Sequence, residues 1–104
     1  MGLQGYYSTP DQAYSAAYAN INHINIHRDE AFIFVNMYSS KASRDAYELP
    51  IYQQQFIYSR ESLYNGNVME LAYNKVKAEK LFAGWVDVLE AEPPLAEVIQ
   101  FPIQ

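Results

Sequence analysis

The stretch Ala-Phe-Ile-Phe-Val-Asn-Met-Tyr at residues 31–38 limits the possible folds more than any other part of this chain. Its β-branched and aromatic residues predict a strand. Apolar side chains fall on both faces of that strand, with Ile33, Val35 and Met37 on one side and Phe32, Phe34 and Tyr38 on the other. A strand that is apolar on both faces is typical of the middle of a sheet, or of a sheet whose second face meets a partner.

Three further segments predict strands beside it. Between residues 19 and 26 the alternation of apolar residues changes phase once, which indicates a β-bulge. Residues 51–58 alternate aromatic residues with glutamines and isoleucines, and residues 85–89 form a short apolar run. The polar residues 28–30 predict a hairpin turn, and residues 39–50 predict a loop with one helical turn.

One helix is predicted in the second half of the chain. Asn67 followed by Glu70 resembles a capping box, in which the asparagine side chain caps the first turn. The apolar residues that follow recur at helical spacing. Gly84 is suitably placed to stop the helix, so we expect it to span residues 67–83.

The N-terminal residues allow two interpretations. Residues 1–9 are expected to form an extended lead-in. Residues 9–12, Thr-Pro-Asp-Gln, have the form of a capping box with proline at the first helical position, which favours a short helix over residues 10–18. An early start of the first strand is the alternative.

These elements predict an α+β fold in a single domain at residues 10–89. Its small antiparallel sheet has three or four strands, and the helix at residues 67–83 packs on one face. The 104 residues of the chain are a suitable length for one such domain. Residues 90–104 follow as an acidic Pro-Pro spacer and an extended apolar arm.

Candidate interface residues lie in this arm and on the central strand. They are Leu95, Val98, Ile99, Phe101 and Ile103 in the arm, and Phe32 and Phe34 in the strand. Alternating apolar residues beyond a small domain need a surface that excludes water. Two arrangements remain open for the arm, because it can dock on a neighbouring chain or fold back as an edge strand of its own sheet.

Composition excludes several classes of function. The net charge is −5, and four of the acidic residues follow the last lysine, so binding to nucleic acid or to a membrane surface is not expected. The chain has no cysteine, no phosphate-binding glycine loop and no nucleophile elbow. His23 and His27 are about 13 Å apart if they lie on a strand, which is too far for a metal pair. We expect no enzyme activity, no catalytic residues, no cofactor, no metal and no small-molecule substrate.

Short motifs spread over residues 13–89 carry a resemblance to a known group of proteins. They are the pairs Ala17-Tyr18, Ala72-Tyr73, Val76-Lys77 and Asp87-Val88, together with Tyr38 and Phe82. In this arrangement the chain resembles small uncharacterised proteins of the structural, tail-region gene modules of tailed bacteriophages. It departs from their pattern at Lys80, where a proline is expected, and at Trp85, where a small residue is expected.

The resemblance implies a virion structural accessory protein, associated with the tail or baseplate and acting through protein–protein contacts. Its expected partners are other virion proteins and copies of itself, and its expected location is the virion, assembled in the host cytoplasm. Two alternatives remain, a capsid decoration protein and a regulatory or inhibitory protein-binding module outside the virion. The tail after Glu90 has no counterpart in the pattern.

Overall fold

A computed structural model describes residues 2–64 and 66–88, and the backbone of residues 97–100. These residues form one sheet, two helices and two 3₁₀ turns. In chain order the elements are β1 (Gly2–Ser8), β2 (Ala13–Ile26), β3 (Glu30–Tyr38), α1 (Lys41–Asp45), β4 (Tyr52–Ser59), a 3₁₀ turn (Arg60–Leu63), α2 (Val68–Lys77), a second 3₁₀ turn (Lys80–Phe82), β5 (Val86–Val88) and β6 (Glu97–Gln100).

Five strands of the sheet are antiparallel to their neighbours and follow the order β4-β3-β2-β1-β5. The short strand β6 pairs with β2 in the parallel direction. β2 is long enough to pair with two strands along the same edge. β1 pairs with its residues 13–19, and β6 pairs with its residues 23–26. The α+β class is therefore confirmed, but the expectation of three or four strands is wrong.

The additional strand is β1, which the sequence had indicated only as a lead-in. Its Leu3 is fully buried, and β1 pairs with β2 on one side and with β5 on the other. The sheet therefore begins at Gly2 rather than after residue 10. Local patterning missed β1 because Gly5 has no side chain, and the space above it is filled by the distant Trp85 ring.

The short helix expected over residues 10–18 is also wrong, since Ala13 already begins β2. Thr9 and Gln12 do interact, but they close a turn instead of a helix. The Thr9 N–H donates to the Gln12 carbonyl at 2.7 Å, and the Gln12 N–H donates to the Thr9 hydroxyl at 3.1 Å. The same Thr-Pro-Asp-Gln motif thus connects two strands.

The predicted bulge and hairpin turn are both present. The register between β2 and β3 shifts between Ile21 and His23, which confirms the change of phase in the sequence. The hairpin turn is closed by the His27 N–H, which donates to the Glu30 carbonyl at 2.8 Å. Because of the shift, Ile21 and Ile24 are both buried in the core.

Arg60 connects the start of the first 3₁₀ turn to this hairpin through hydrogen bonds. Its side chain is 5% exposed, and its guanidinium donates to the His27 carbonyl at 2.9 Å. Its backbone N–H donates to the Asp29 carbonyl at 3.0 Å, and the Tyr64 hydroxyl accepts from the guanidinium Nε. The buried charge is therefore held by hydrogen bonds, as a buried guanidinium requires.

The core lies between one face of the sheet and α2. Ala72, Tyr73 and Val76 of the helix are buried in one core with Ile33 and Val35 of β3. Leu3, Leu63, Phe82 and Trp85 extend the same core. This arrangement confirms the apolar helix face that the sequence predicted.

At the edge of the core, a tyrosine links β4 to the end of α2. The Tyr58 hydroxyl donates to the Glu79 carboxylate at 2.5 Å and lies 3.3 Å from the Lys75 carbonyl. Burial, and then the hydrogen bond to Glu79, raise the pKa of the Tyr58 phenol. The hydroxyl therefore remains a hydrogen-bond donor at neutral pH and holds the helix terminus to the sheet.

α2 is shorter than the predicted helix at residues 67–83. It ends at Lys77 with Ala78 as its C-cap, and Glu79 is already extended. A 3₁₀ turn, Lys80–Phe82, then places Phe82 in the core. Gly84 has a φ of +81°, so it forms a left-handed turn after the 3₁₀ segment instead of ending the helix.

The Asn67 cap predicted from the sequence is confirmed, since its side chain accepts a hydrogen bond from the Glu70 N–H at 3.0 Å. We expect Asn67→Ala to lower the free energy of unfolding by about 1 kcal/mol, because this N–H loses its partner. Urea unfolding followed by circular dichroism would measure the change. Asn74→Ala, at an exposed position inside the same helix, is the matched control and should not destabilise the protein. Equal stability of the Asn67 variant and the native chain would contradict the cap.

Candidate protein-binding surface

The face of the sheet opposite α2 carries the sequence-predicted Phe32 and Phe34. Register places Phe32 beside Ile57 of β4, and places Phe34 between His23 of β2 and Gln55 of β4. We use the name open face for six of the outward side chains on this part of the sheet, namely His23, Phe32, Phe34, Gln53, Gln55 and Ile57. Asn25 of β2 and Glu30 of β3 lie on the same side. The phenylalanines of the open face are half-buried, and Ile57 is 51% exposed.

Histidine rings hold the two phenylalanines of the open face in place. The His23 ring stacks on Phe34 with 4.1 Å between ring centroids, and the His27 ring meets Phe32 edge-on at 5.1 Å. Aromatic pairs at these distances are favourable, and they restrict the rotamers of both rings. Binding of a partner at this face would therefore cost little side-chain entropy in this protein, because its rings are already ordered.

The helix α1 covers one end of this side of the sheet. Tyr18, which is fully buried, shares the side with Phe34, and the Arg44 guanidinium of α1 lies 5.9 Å from its ring centroid. Next to it Asn36 is buried and accepts a hydrogen bond from the Gln53 amide at 2.9 Å. Apolar side chains accessible to a partner are therefore concentrated toward the β2–β3 turn.

A second exposed apolar group lies in the loop after α1, where sequence reasoning had indicated only a polar loop. Tyr47 is 89% exposed and Leu49 is 87% exposed. Tyr47 also has a φ of +59°, a left-handed conformation that is unfavourable for a residue with a large side chain. A leucine before Pro50 in a polar segment was the only sequence signal for this group.

The arm residues proposed from the sequence are only partly within the described residues. Val98 and Ile99 lie in β6, with their backbones beside Ile24 and Asn25 of β2. This pairing is the arrangement in which the arm folds back on its own sheet. The other candidates, Leu95, Phe101 and Ile103, lie outside the described residues.

The open face combines aromatic, amide and imidazole side chains. It has aromatic rings at its centre and amide or imidazole groups around them, and the exposed carboxylate of Glu30 lies on the same side at the end of β3. In the part of the chain that the structure describes, no three metal-binding side chains are grouped together. None of the helices described is long and apolar enough to span a bilayer.

Comparison with other proteins does not assign the chain to a family. No family model matches it, and neither the curated proteins nor the solved structures include a significant match.

Proposed function

We propose that this chain is a structural accessory protein of a bacteriophage virion, associated with the tail or baseplate, and that it acts by binding other virion proteins. The observation that carries the proposal is the open face, where Phe32 and Phe34 stand beside the exposed Ile57 on a regular sheet. A soluble monomer gains nothing from keeping such an aromatic group accessible to water.

The composition of the open face supports a protein partner. Aromatic residues are enriched at the centres of protein interfaces, while charged residues are depleted there and polar groups form the rim. The open face follows this pattern, since Phe32 and Phe34 form its centre and Gln53 and Gln55 lie at its margin. Glutamine side chains both donate and accept hydrogen bonds, so they can match a partner backbone.

The virion location rests on the resemblance carried by Ala17-Tyr18, Ala72-Tyr73 and Asp87-Val88. A capsid decoration protein would use the same kind of surface at a different position in the particle. A regulatory module would use it on a single target outside the particle. These alternatives make different predictions for purified particles.

Mass spectrometry of purified phage particles tests the proposal directly. We expect the chain in tail or baseplate fractions separated from capsids. Recovery with capsids alone would point to a decoration protein, and absence from all particles would exclude a virion role.

The open face is tested with Phe34→Ser in particles assembled in the presence of the variant chain. We expect the variant to remain folded, as checked by its melting curve, and to be lost from particles because the centre of the interface is removed. Tyr47→Ser removes an equally aromatic but more exposed side chain outside the open face and serves as the control. Normal incorporation of a folded Phe34→Ser variant would exclude the open face as the contact surface.

A further inference from the structure

The strand β4 forms one end of the sheet order and pairs with β3 along all eight of its residues, Tyr52–Ser59. Its register with β3 shows no shift from one end to the other. Within the described residues no strand pairs with its opposite edge. β4 therefore presents a long and regular row of backbone groups at the side of the molecule.

The hydrogen bonding at the end of β4 indicates which residues present these groups. The Arg60 N–H donates to the Asp29 carbonyl at 3.0 Å, one position beyond the last strand pair, Glu30 and Ser59. In antiparallel pairs, residues along a strand direct their N–H and C=O groups alternately toward the partner and away from it. Because Arg60 is directed toward β3, residues 54, 56 and 58 are too, and residues 53, 55 and 57 are directed outward.

A side-chain contact agrees with this assignment. The Gln54 amide donates to the Gln55 carbonyl at 3.2 Å, so this carbonyl is accessible to a donor other than the backbone of β3. A neighbouring strand would offer the same carbonyl a backbone N–H instead.

The two ends of the sheet order differ sharply in how they are protected. β5 is three residues long, and its Asp87 forms an ion pair with Lys77 at 2.9 Å. Short length and charge are the devices by which proteins prevent strand edges from pairing. β4 has neither device, since its sequence Tyr-Gln-Gln-Gln-Phe-Ile-Tyr-Ser contains no charged residue and no proline.

We infer that β4 pairs with the β4 of a second copy of this chain, in the antiparallel direction about a two-fold axis at Gln55. This axis places Gln55 opposite its own copy and Gln53 opposite Ile57 of the other copy. All three residues are directed outward, so the pairing forms about six backbone hydrogen bonds. The two sheets then join into one continuous sheet.

Charge favours a second copy as the occupant of this edge. The chain carries a net charge of −5, so two copies repel each other overall. β4 is uncharged, and its approach to an identical strand places no like charges in contact. The pairing also places the two open faces side by side, because a two-fold axis perpendicular to the sheet keeps each face on the same side. The inference does not depend on the proposed virion role.

Sedimentation velocity of the purified full-length chain tests the inference, with no phage particle required. We expect a species of twice the 12.0 kDa chain mass to appear as concentration rises from micromolar to millimolar. A monomer throughout this range would exclude β4 self-pairing, whereas the proposed virion role would remain testable on particles.

Two substitutions at Gln55 separate the backbone contact from the side chain. Gln55→Pro removes an outward N–H without removing a hydrogen bond to β3, so it should abolish the dimer. Gln55→Ala keeps the N–H and should dimerise like the native chain. A folded proline variant that still dimerises would show that another surface forms the dimer.

Charge exchange provides a second test that does not introduce proline into a strand. Gln55→Lys and Gln55→Glu should each be monomeric, because the two-fold axis places like charges opposite each other. An equimolar mixture of the two variants should restore the dimer as a heterodimer. If each variant dimerises alone as strongly as the native chain, the axis is not at Gln55 and the inference fails.

Discussion

Replacing Tyr73 by alanine should lower the free energy of unfolding by about 3 kcal/mol or more, among the largest losses expected for one side chain of this protein. The Tyr73 ring is 5% exposed and lies in the core between α2 and the sheet. Its hydroxyl accepts a hydrogen bond from the Ile21 N–H at 3.1 Å. Ile21 lies between the part of β2 that pairs with β1 and the part that pairs with β6. The helix therefore supplies a partner for a backbone group at the junction of two strands.

Tyr73→Phe separates the ring from its hydroxyl. This variant keeps the packing and leaves the buried Ile21 N–H without its acceptor, so we expect a loss of about 1–3 kcal/mol. Burial raises the pKa of the Tyr73 phenol, which remains neutral below alkaline pH. Urea unfolding at neutral pH would measure both variants. A neutral effect of the alanine substitution would mean that the ring does not belong to the core.

Trp85→Ala should destabilise the protein by about 3–5 kcal/mol, which is typical for the removal of a buried indole. The Trp85 ring is 5% exposed and meets Phe82 edge-on, with 4.9 Å between ring centroids. It also covers Gly5 of β1, where an added Cβ would come within 2.4 Å of the indole. Gly5→Ala should therefore cause overpacking and a loss of about 1–3 kcal/mol.

A double-mutant cycle tests whether these two residues act together. If the indole is what excludes a side chain at residue 5, Gly5→Ala should cost much less in the background of Trp85→Ala than in the native chain. Thermal and urea unfolding of the four proteins would measure the coupling. Strictly additive losses would show that Gly5 is required for another reason, such as its backbone conformation.

Local patterns in the sequence predicted the elements that local interactions stabilise. The Asn67 cap, the hairpin after β2 and the central strand all depend on residues close to one another in the chain. β1 was missed because it carries Gly5 where its inner face meets Trp85, far along the chain, so its sequence lacks the alternation typical of a strand. The helix was predicted to be longer than it is. Glu79 accepts a hydrogen bond from Tyr58 of β4, and a helical pattern in the sequence does not reveal this contact.

The candidate surface was predicted in part for the same reason. Phe32 and Phe34 were identified because a strand that is apolar on both faces is visible in sequence alone. The outer edge of β4 was not identified, because the order of strands decides which one lies at the end of a sheet. The exposure of the Tyr47 side chain likewise depends on the path of the backbone after α1.

The shared edge of β2 has a consequence for the order in which the protein folds. The hairpins formed by β2, β3 and β4 join neighbouring segments, so they can form while the chain is still being synthesised. On the opposite edge of β2, residues 13–19 pair with the neighbouring strand β1, whereas residues 23–26 pair with β6, which lies much later in the chain. Contacts between such distant segments form slowly. A ribosome-bound chain therefore exposes residues 23–26 at this edge of β2 until residues 97–100 have emerged, and chaperone binding before that point is expected there.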